Sequence, residues 1–249
     1  MTPLRFLWRC GRALVWFVAA SVRVMRRAPA TGVDHDLTHL YASTLSQGFK
    51  RIFRLRHEVR GAGRLSSHQP CVYLANHRSN LDVITMCEIL PHRTVVIGKR
   101  EMRKIPLLGR IFERGGNVPI NRRDPDEARA AIEAAERKLR DERVSIFMFP
   151  EGTRNHGRLL PFKKGAFHLA RNAGVPIVPL VCAVTPGWMR GGRLWLAPEV
   201  DVLIEVLQPV ESGTDEVDAL IEETRDRMAD ALARLEEEVA RRGAERSQP

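Results

Sequence analysis

Five short and almost uninterrupted apolar runs constrain this chain more than any other feature. They are CVYLA (71–75), TVVIG (94–98), VSIFMF (144–149), VPIVPLVCAV (175–184) and VDVLIEVL (200–207). Runs of this length, rich in valine and isoleucine, read as strands. Between the first three lie stretches of helix-forming composition, DVITMCEIL (82–90) and PDEARAAIEAAERKLRD (125–141). In the second, Pro125 suits a first helical position, and Ala131, Ile132, Ala135 and Leu139 share one face. A last helical pattern carries Ile221, Met228, Leu232, Leu235 and Val239 at helical spacing, with Ser212 and Asp215 at capping-box spacing before it. This order indicates an α/β domain whose functional loops leave the ends of strands.

The first 58 residues differ. ALVWFVAASV (13–22) is bracketed by Arg5, Arg9 and Arg12 on one side and Arg23, Arg26 and Arg27 on the other. Ten helical residues rise about 15 Å, roughly half of a bilayer's hydrocarbon core. Trp8, Trp16 and Phe17 beside arginines fit a helix lying in one leaflet. A signal peptide cleaved after APA (28–30) and a buried core helix are the competing readings, and the intervening arginines argue against cleavage. Residues 37–59 read as a second helix packing on the first. The expected organisation is an N-terminal helical membrane-association segment (1–58), an α/β domain (59–242) and a disordered tail (243–249).

Charge points the same way. Of 249 residues, 40 are Lys or Arg and 30 are Asp or Glu, a net charge of +10. Residues 1–60 hold 11 basic against 3 acidic side chains, whereas 211–249 hold 6 against 12. The N-terminal end therefore seeks anions, and sign alone does not separate lipid headgroups, phosphorylated substrates and nucleic acid. No zinc-finger spacing or RNA-binding aromatic motif supports nucleic acid. The four cysteines show no CxxC pair, which disfavours disulfides and a thiolate metal site and suits a reducing compartment. There is no HExxH pair; His35 and His39 stand at i, i+4 without a third ligand and read as a surface pair. No metal is expected.

NHRSNLD (76–82) follows the first strand candidate. On a continuous helix His77 and Asp82 would diverge by about 140° and could not meet. A bend at Asn76 and Ser79 to Asn80, with a helix starting near Asp82, would bring them together. Two readings stay open: a base with its orienting carboxylate, or a turn in which Ser79 and Asp82 cap the helix. Other strand ends carry FPEGTRN (149–155), with Glu151, Gly152, Thr153 and Arg154, and PFKKGAF (161–167), with Lys163 and Lys164. Residues 91–125 add 9 basic against 3 acidic side chains, among them Lys99 and Arg122. Such forks and ammonium groups suit phosphate.

Together these blocks resemble the glycerolipid acyltransferases of the lysophosphatidic acid acyltransferase type, over roughly residues 70–185. The His-x4-Asp box is NHRSNLD. The second block, GKREMRKIPLLGRIFERGGNVPINR, matches at Lys99, Glu101, Pro106, Gly109, Gly116, Ile120 and Arg122. The third is FPEGTR in full, and VPIVPL (175–180) is similar to the fourth. Met102, Pro119 and Asn121 depart from the family's usual residues in the second block, which leaves the exact acceptor open. The resemblance implies a central mixed sheet flanked by helices.

It also implies a chemistry. His77 would take the proton of an acceptor hydroxyl as that oxygen attacks an acyl thioester, with Asp82 fixing the imidazole tautomer. No GxSxG elbow is present, so no acyl-enzyme is expected. Lys99, Arg122 and Arg154 are implied phosphate contacts, with Glu151, Gly152 and Thr153 shaping the pocket and Lys163 assisting. No cofactor is expected beyond the co-substrate, acyl-CoA or acyl-carrier protein. The implied acceptor is a lysophospholipid, most simply 1-acylglycerol 3-phosphate. Glycerol 3-phosphate or a lyso-aminolipid is the alternative acceptor, and a non-catalytic basic surface protein is the reading from another class. The place implied is the cytoplasmic face of a membrane, among membrane lipids.

Overall fold

The computed structural model describes residues 3–78, 82–154, 158–186, 189–190, 193–194, 199–213 and 216–246. In chain order it runs α1 (Pro3–Met25), α2 (Leu37–Phe53), β1 (Leu55–Arg60), α3 (Arg64–Ser67), β2 (Val72–Ala75) and α4 (Asp82–Met86). Then come β3 (Thr94–Lys99), α5 (Leu108–Arg114), β4 (Val118–Ile120), α6 (Pro125–Asp141), β5 (Ser145–Met148) and α7 (Gly165–Ala173). The chain continues through β6 (Ile177–Val184), β7 (Met189–Arg190), β8 (Arg193–Leu194), β9 (Val200–Val206) and α8 (Val217–Glu245).

Seven strands form one mixed sheet in the order β1-β9-β6-β2-β5-β3-β4. All neighbours are parallel except β6 and β9. The apolar runs lack polar alternation because both faces of the sheet are covered. Val72 and Leu74 of β2, Ile146 and Met148 of β5, and Ile177 and Val181 of β6 point to a core shared with α6, α7 and α8. Their neighbours Tyr73, Ala75, Phe147, Val178 and Leu180 point to the opposite core, shared with α1, α2 and the helical turns after β2. Each buried apolar side chain contributes about 1.5–3 kcal/mol of burial free energy, so the two cores hold the layers together.

Local sequence explains the element ends. Asp124 caps α6 by accepting from Asp126 N at 3.0 Å and Glu127 N at 3.1 Å, with Pro125 in the first turn as expected. Gly174, at φ +63°, closes α7 in the left-handed conformation. Ser46 and Lys50 of α2 donate to Glu88 at 2.5 and 2.8 Å, tying that helix to the 3₁₀ turn Cys87–Ile89 after α4.

Two expectations need correction. The stretch 37–59 is not one helix: α2 ends at Phe53, Arg54 turns left-handed at φ 53°, and Leu55–Arg60 pairs with Val200–Glu205 of β9. The boundary drawn at 58/59 falls inside this strand. Its Arg56, Glu58 and Arg60 hid it, because an edge strand tolerates charge where a central one does not. At the other end α8 runs to Glu245, past residue 243 where a tail was expected. Arg242, paired with Glu58 and Glu238, and Arg246, paired with Asp201, hold that last turn.

The N-terminal pair packs tightly. Trp16 Nε1 donates to Leu45 O at 3.3 Å, and its indole lies where a side chain at position 48 would be, so Gly48 is required there. Ser21 Oγ and Tyr41 Oη bond at 2.9 Å. Among the described residues no helix is long and apolar enough to cross a membrane.

Candidate active site at the carboxyl edge of the sheet

β2, β5, β3 and β4 are parallel and adjacent, so their carboxyl ends open on one edge of the sheet, where α/β folds place ligands. His77 follows β2, the Phe149–Arg154 loop follows β5, Lys99 ends β3, and Arg122 follows β4. The topology brings these blocks of sequence to one edge.

Asn76 sets where the chain leaves β2. It is buried, and its Oδ1 accepts from Cys182 N at 2.8 Å while its Nδ2 donates to Cys182 O at 3.0 Å. Read from sequence as a turn former, it is a clasp between β2 and β6. His77 comes next. Its Nδ1 lies 2.7 Å from Asp82 Oδ2, and because a carboxylate can only accept, the ring donates there and leaves Nε2 as an acceptor. The imidazole stacks on Phe149, with ring centres 4.2 Å apart and planes 17° apart.

Asp82 opens α4 and takes a second donor, Arg78 N, at 2.6 Å into the same oxygen. The carboxylate that meets the imidazole is therefore also anchored by a backbone N–H next to His77. Ser79 and Asn80, invoked for the bend, and Ser79 again for the helix cap, lie outside the described residues. So does Asp215, the second half of the capping box expected before α8.

Glu151 is buried and faces two backbones. Its Oε1 accepts from His77 N at 2.7 Å and its Oε2 from Leu160 N at 2.9 Å. Its carboxylate thus joins the histidine loop to the chain entering PFKKGAF. Gly152 stands at φ +69°, a conformation that favours glycine, and its carbonyl accepts from Arg122 Nη1 at 2.6 Å. Arg122 is thereby drawn from the end of β4 to the loop after β5. Burial pulls its guanidinium below the ordinary arginine value, yet an arginine stays charged at neutral pH.

The remaining cations lie at the same edge with more exposure. Lys99 and Lys163 are exposed, and the Lys163 stem passes beside Gly152 while its N–H donates to Pro150 O at 2.8 Å. Thr153 is exposed and Arg154 half-buried. Lys164 is turned elsewhere, its ammonium 2.7 Å from Asp218 of α8. His35 and His39 separate to different partners, Glu142 and the Leu90 carbonyl. Among the described residues no cluster of three His, Cys, Asp or Glu could hold a metal. Sequence reasoning did not find the clasp at Asn76 or the Glu151 contact with the His77 backbone, because these join residues 106 and 74 positions apart.

A half-buried histidine hydrogen-bonded to a buried aspartate thus stands at the mouth of an α/β sheet whose edge carries several cations. The family model described as Acyltransferase matches residues 56–183, and the chain belongs to that family as an O-acyltransferase of the 1-acylglycerol-3-phosphate type. It is 37% identical over 211 residues to the 1-acyl-sn-glycerol-3-phosphate acyltransferase of Salmonella typhimurium, covering 82% of this chain and 85% of that one. It is 36% identical to the Escherichia coli enzyme of the same name, with the same coverage. Human 1-acyl-sn-glycerol-3-phosphate acyltransferase alpha is 38% identical over 182 residues, which span 72% of this chain and 64% of that one. The fold is shared with the 1-acyl-sn-glycerophosphate acyltransferase of Thermotoga maritima, at a TM-score of 0.76, 24% identity and coverage of 93% and 95%.

Proposed function

We propose that the protein transfers a fatty acyl group from a thioester, acyl-CoA or acyl-carrier protein, to the free hydroxyl of 1-acylglycerol 3-phosphate, giving phosphatidate. The observation that carries the mechanism is the 2.7 Å contact of His77 Nδ1 with Asp82 Oδ2. With Nδ1 committed as donor, Nε2 takes the acceptor's hydroxyl proton as that oxygen bonds to the thioester carbonyl carbon. Asp82 stabilises the imidazolium that forms. When the tetrahedral intermediate collapses, the C–S bond breaks and the proton passes from Nε2 to the departing sulfur. No atom of the enzyme becomes acylated, and no cofactor takes part.

The acceptor's phosphate is assigned to Arg122, Arg154 and Lys99, with Lys163 beside them and Gly152 and Thr153 lining the turn. Support comes from Arg122, whose half-buried charge is held against a carbonyl, an arrangement that a bound anion would complete. Glu151 acts through the backbones it grips. The names of the relatives add that the matched enzymes use this acceptor.

The N-terminal segment is assigned to the membrane surface on the cytoplasmic side. Leu7, Trp8, Leu14, Val15 and Val18 of α1 are exposed, while Ala20, Ser21 and Val24 face the protein. At 100° per residue the exposed five form a stripe of roughly 120°, the pattern of a helix lying in an interface. Arg12 packs over the Trp8 ring at 4.5 Å, beside that stripe. Substrate and product are both lipids, so a surface docked on the bilayer gives the site access to them.

The test is turnover of purified protein in mixed micelles, with acyl-CoA and acyl-carrier thioesters offered against a panel of acceptors. His77→Ala should lose at least about 1,000-fold in kcat, the scale of a missing general base and its oriented partner. Undiminished turnover in that variant would refute the mechanism, and equal use of a phosphate-free acceptor by the unmutated enzyme would refute the phosphate pocket.

A further inference from the structure

Arg78 occupies two places at once. Its backbone N–H donates to Asp82 Oδ2, the oxygen that also receives His77 Nδ1–H, at 2.6 and 2.7 Å. Its guanidinium pairs through Nη1 with Glu236 Oε1 of α8. The loop carrying the histidine is thus joined to a helix 158 residues further along the chain. That helix is itself fixed. Glu238 accepts from Arg60 of β1 at 2.8 and 2.9 Å, Arg242 reaches Glu58 of β1 at 2.7 Å, and Arg246 pairs with Asp201 of β9. Its apolar face, with Met228, Leu232, Leu235 and Val239, belongs to the core under β6.

We propose that Glu236 is a positioning residue for acyl transfer, holding the His77–Asp82 pair in register through Arg78; this rests on the reading of that pair as the reacting dyad. The Arg78 and Glu236 side chains are 31% and 36% exposed, and an ion pair so exposed contributes little to global stability. Its effect is on geometry. Asp82 Oδ2 must accept from the Arg78 backbone and the imidazole together, so a shift of Arg78 moves the oxygen that orients the ring. Misplacement of a catalytic group by about 1 Å lowers turnover far more than it lowers stability. Arg78 is not assigned to the acceptor's phosphate, because its guanidinium already meets a carboxylate.

The full chain in mixed micelles, with acyl-CoA and 1-acylglycerol 3-phosphate as probes, tests this. Glu236→Ala and the isosteric Glu236→Gln should lower kcat about tenfold, the scale of a sub-ångström misplacement. The KM for acceptor should stay within about twofold, because ground-state binding is untouched. The thermal midpoint should move by no more than about 2 °C, as for a weak surface pair. Glu236→Asp should recover part of kcat, and pairing Arg78→Glu with Glu236→Arg should recover turnover that Arg78→Glu alone loses. Unchanged kcat in both Glu236→Ala and Glu236→Gln overturns the proposal. So does a raised acceptor KM with intact kcat, which would make the pair a substrate contact. So does a fall in kcat that merely tracks loss of folded protein in both variants. His77→Ala in the same assay separates the two claims. If it retains turnover the dyad reading fails, whereas an inactive His77→Ala beside a fully active Glu236→Ala removes only the positioning role.

Discussion

Asn76 meets Cys182 with both ends of its side-chain amide, and neither partner group has water to turn to in the core. Replacing it with alanine strands a backbone N–H and a backbone C=O, each costing about 1–3 kcal/mol when buried unpaired. We expect Asn76→Ala to lower the urea midpoint by a corresponding amount, and Asn76→Asp to rescue the N–H contact but not the C=O contact. A urea melt of the three proteins checks this ordering. The residue also marks how far sequence carries. His77 and Asp82 were legible because their partner lies five positions away and the motif names both. The roles of Asn76 and Glu151 were not, since each depends on a strand pairing that brings distant segments within hydrogen-bonding reach.

Among elements, the five apolar strands announced themselves because burial on both faces leaves a run with no polar interruption. β4 and β1 did not. β4 has three residues with Pro119 in the middle, at the outer position that a proline can occupy, and it sits inside a strongly basic stretch. α5 and α7, of 7 and 9 residues, are too short to show the repeated apolar spacing that marks α6 and α8. α8 was visible by its apolar spacing, but its attachment to β1 was not, because that contact is ionic. Hydrogen bonds from Arg60 and Arg242 pull the Glu238 carboxyl from its ordinary 4.5 to about 2, and Arg60 and Arg242 also hold Glu58 low. A carboxylate whose folded value is depressed adds stability above its unfolded value and loses it as pH falls toward the folded one. The thermal midpoint should therefore fall between about pH 4.5 and about pH 2. Glu238→Gln should shrink the dependence in that window, and added salt should weaken it, as expected for charges near the surface. A midpoint that stays flat through the window would show that α8 is held by its apolar face alone.

For the whole molecule, α2 is the joint between the exposed stripe of α1 and the sheet. Nine of its residues are buried, and through Ser46 and Lys50 it reaches Glu88 beyond α4. Burial acts to raise the Glu88 carboxyl, but the hydrogen bonds from Lys50 and Ser46 outweigh it and hold the group below its ordinary value. A surface docked through α1 would thus be continuous with the layer that carries Asp82. Val15 is 70% exposed, so Val15→Asp should leave folding intact. It should weaken partitioning onto anionic vesicles roughly tenfold, from lost apolar burial and an added negative charge. A sedimentation assay with vesicles, read beside turnover in detergent, checks it; unchanged partitioning would rule out the stripe as the docking face.

The two outermost strands carry one more consequence. β1 presents Arg56, Glu58 and Arg60, and β4 offers three residues of which one has no N–H to give. A neighbouring chain seeking a template for strand addition finds charge at one rim and a missing donor at the other. Growth of the sheet from molecule to molecule is disfavoured at both rims. Wherever copies meet often and at close range, that keeps neighbours from stitching their backbones together.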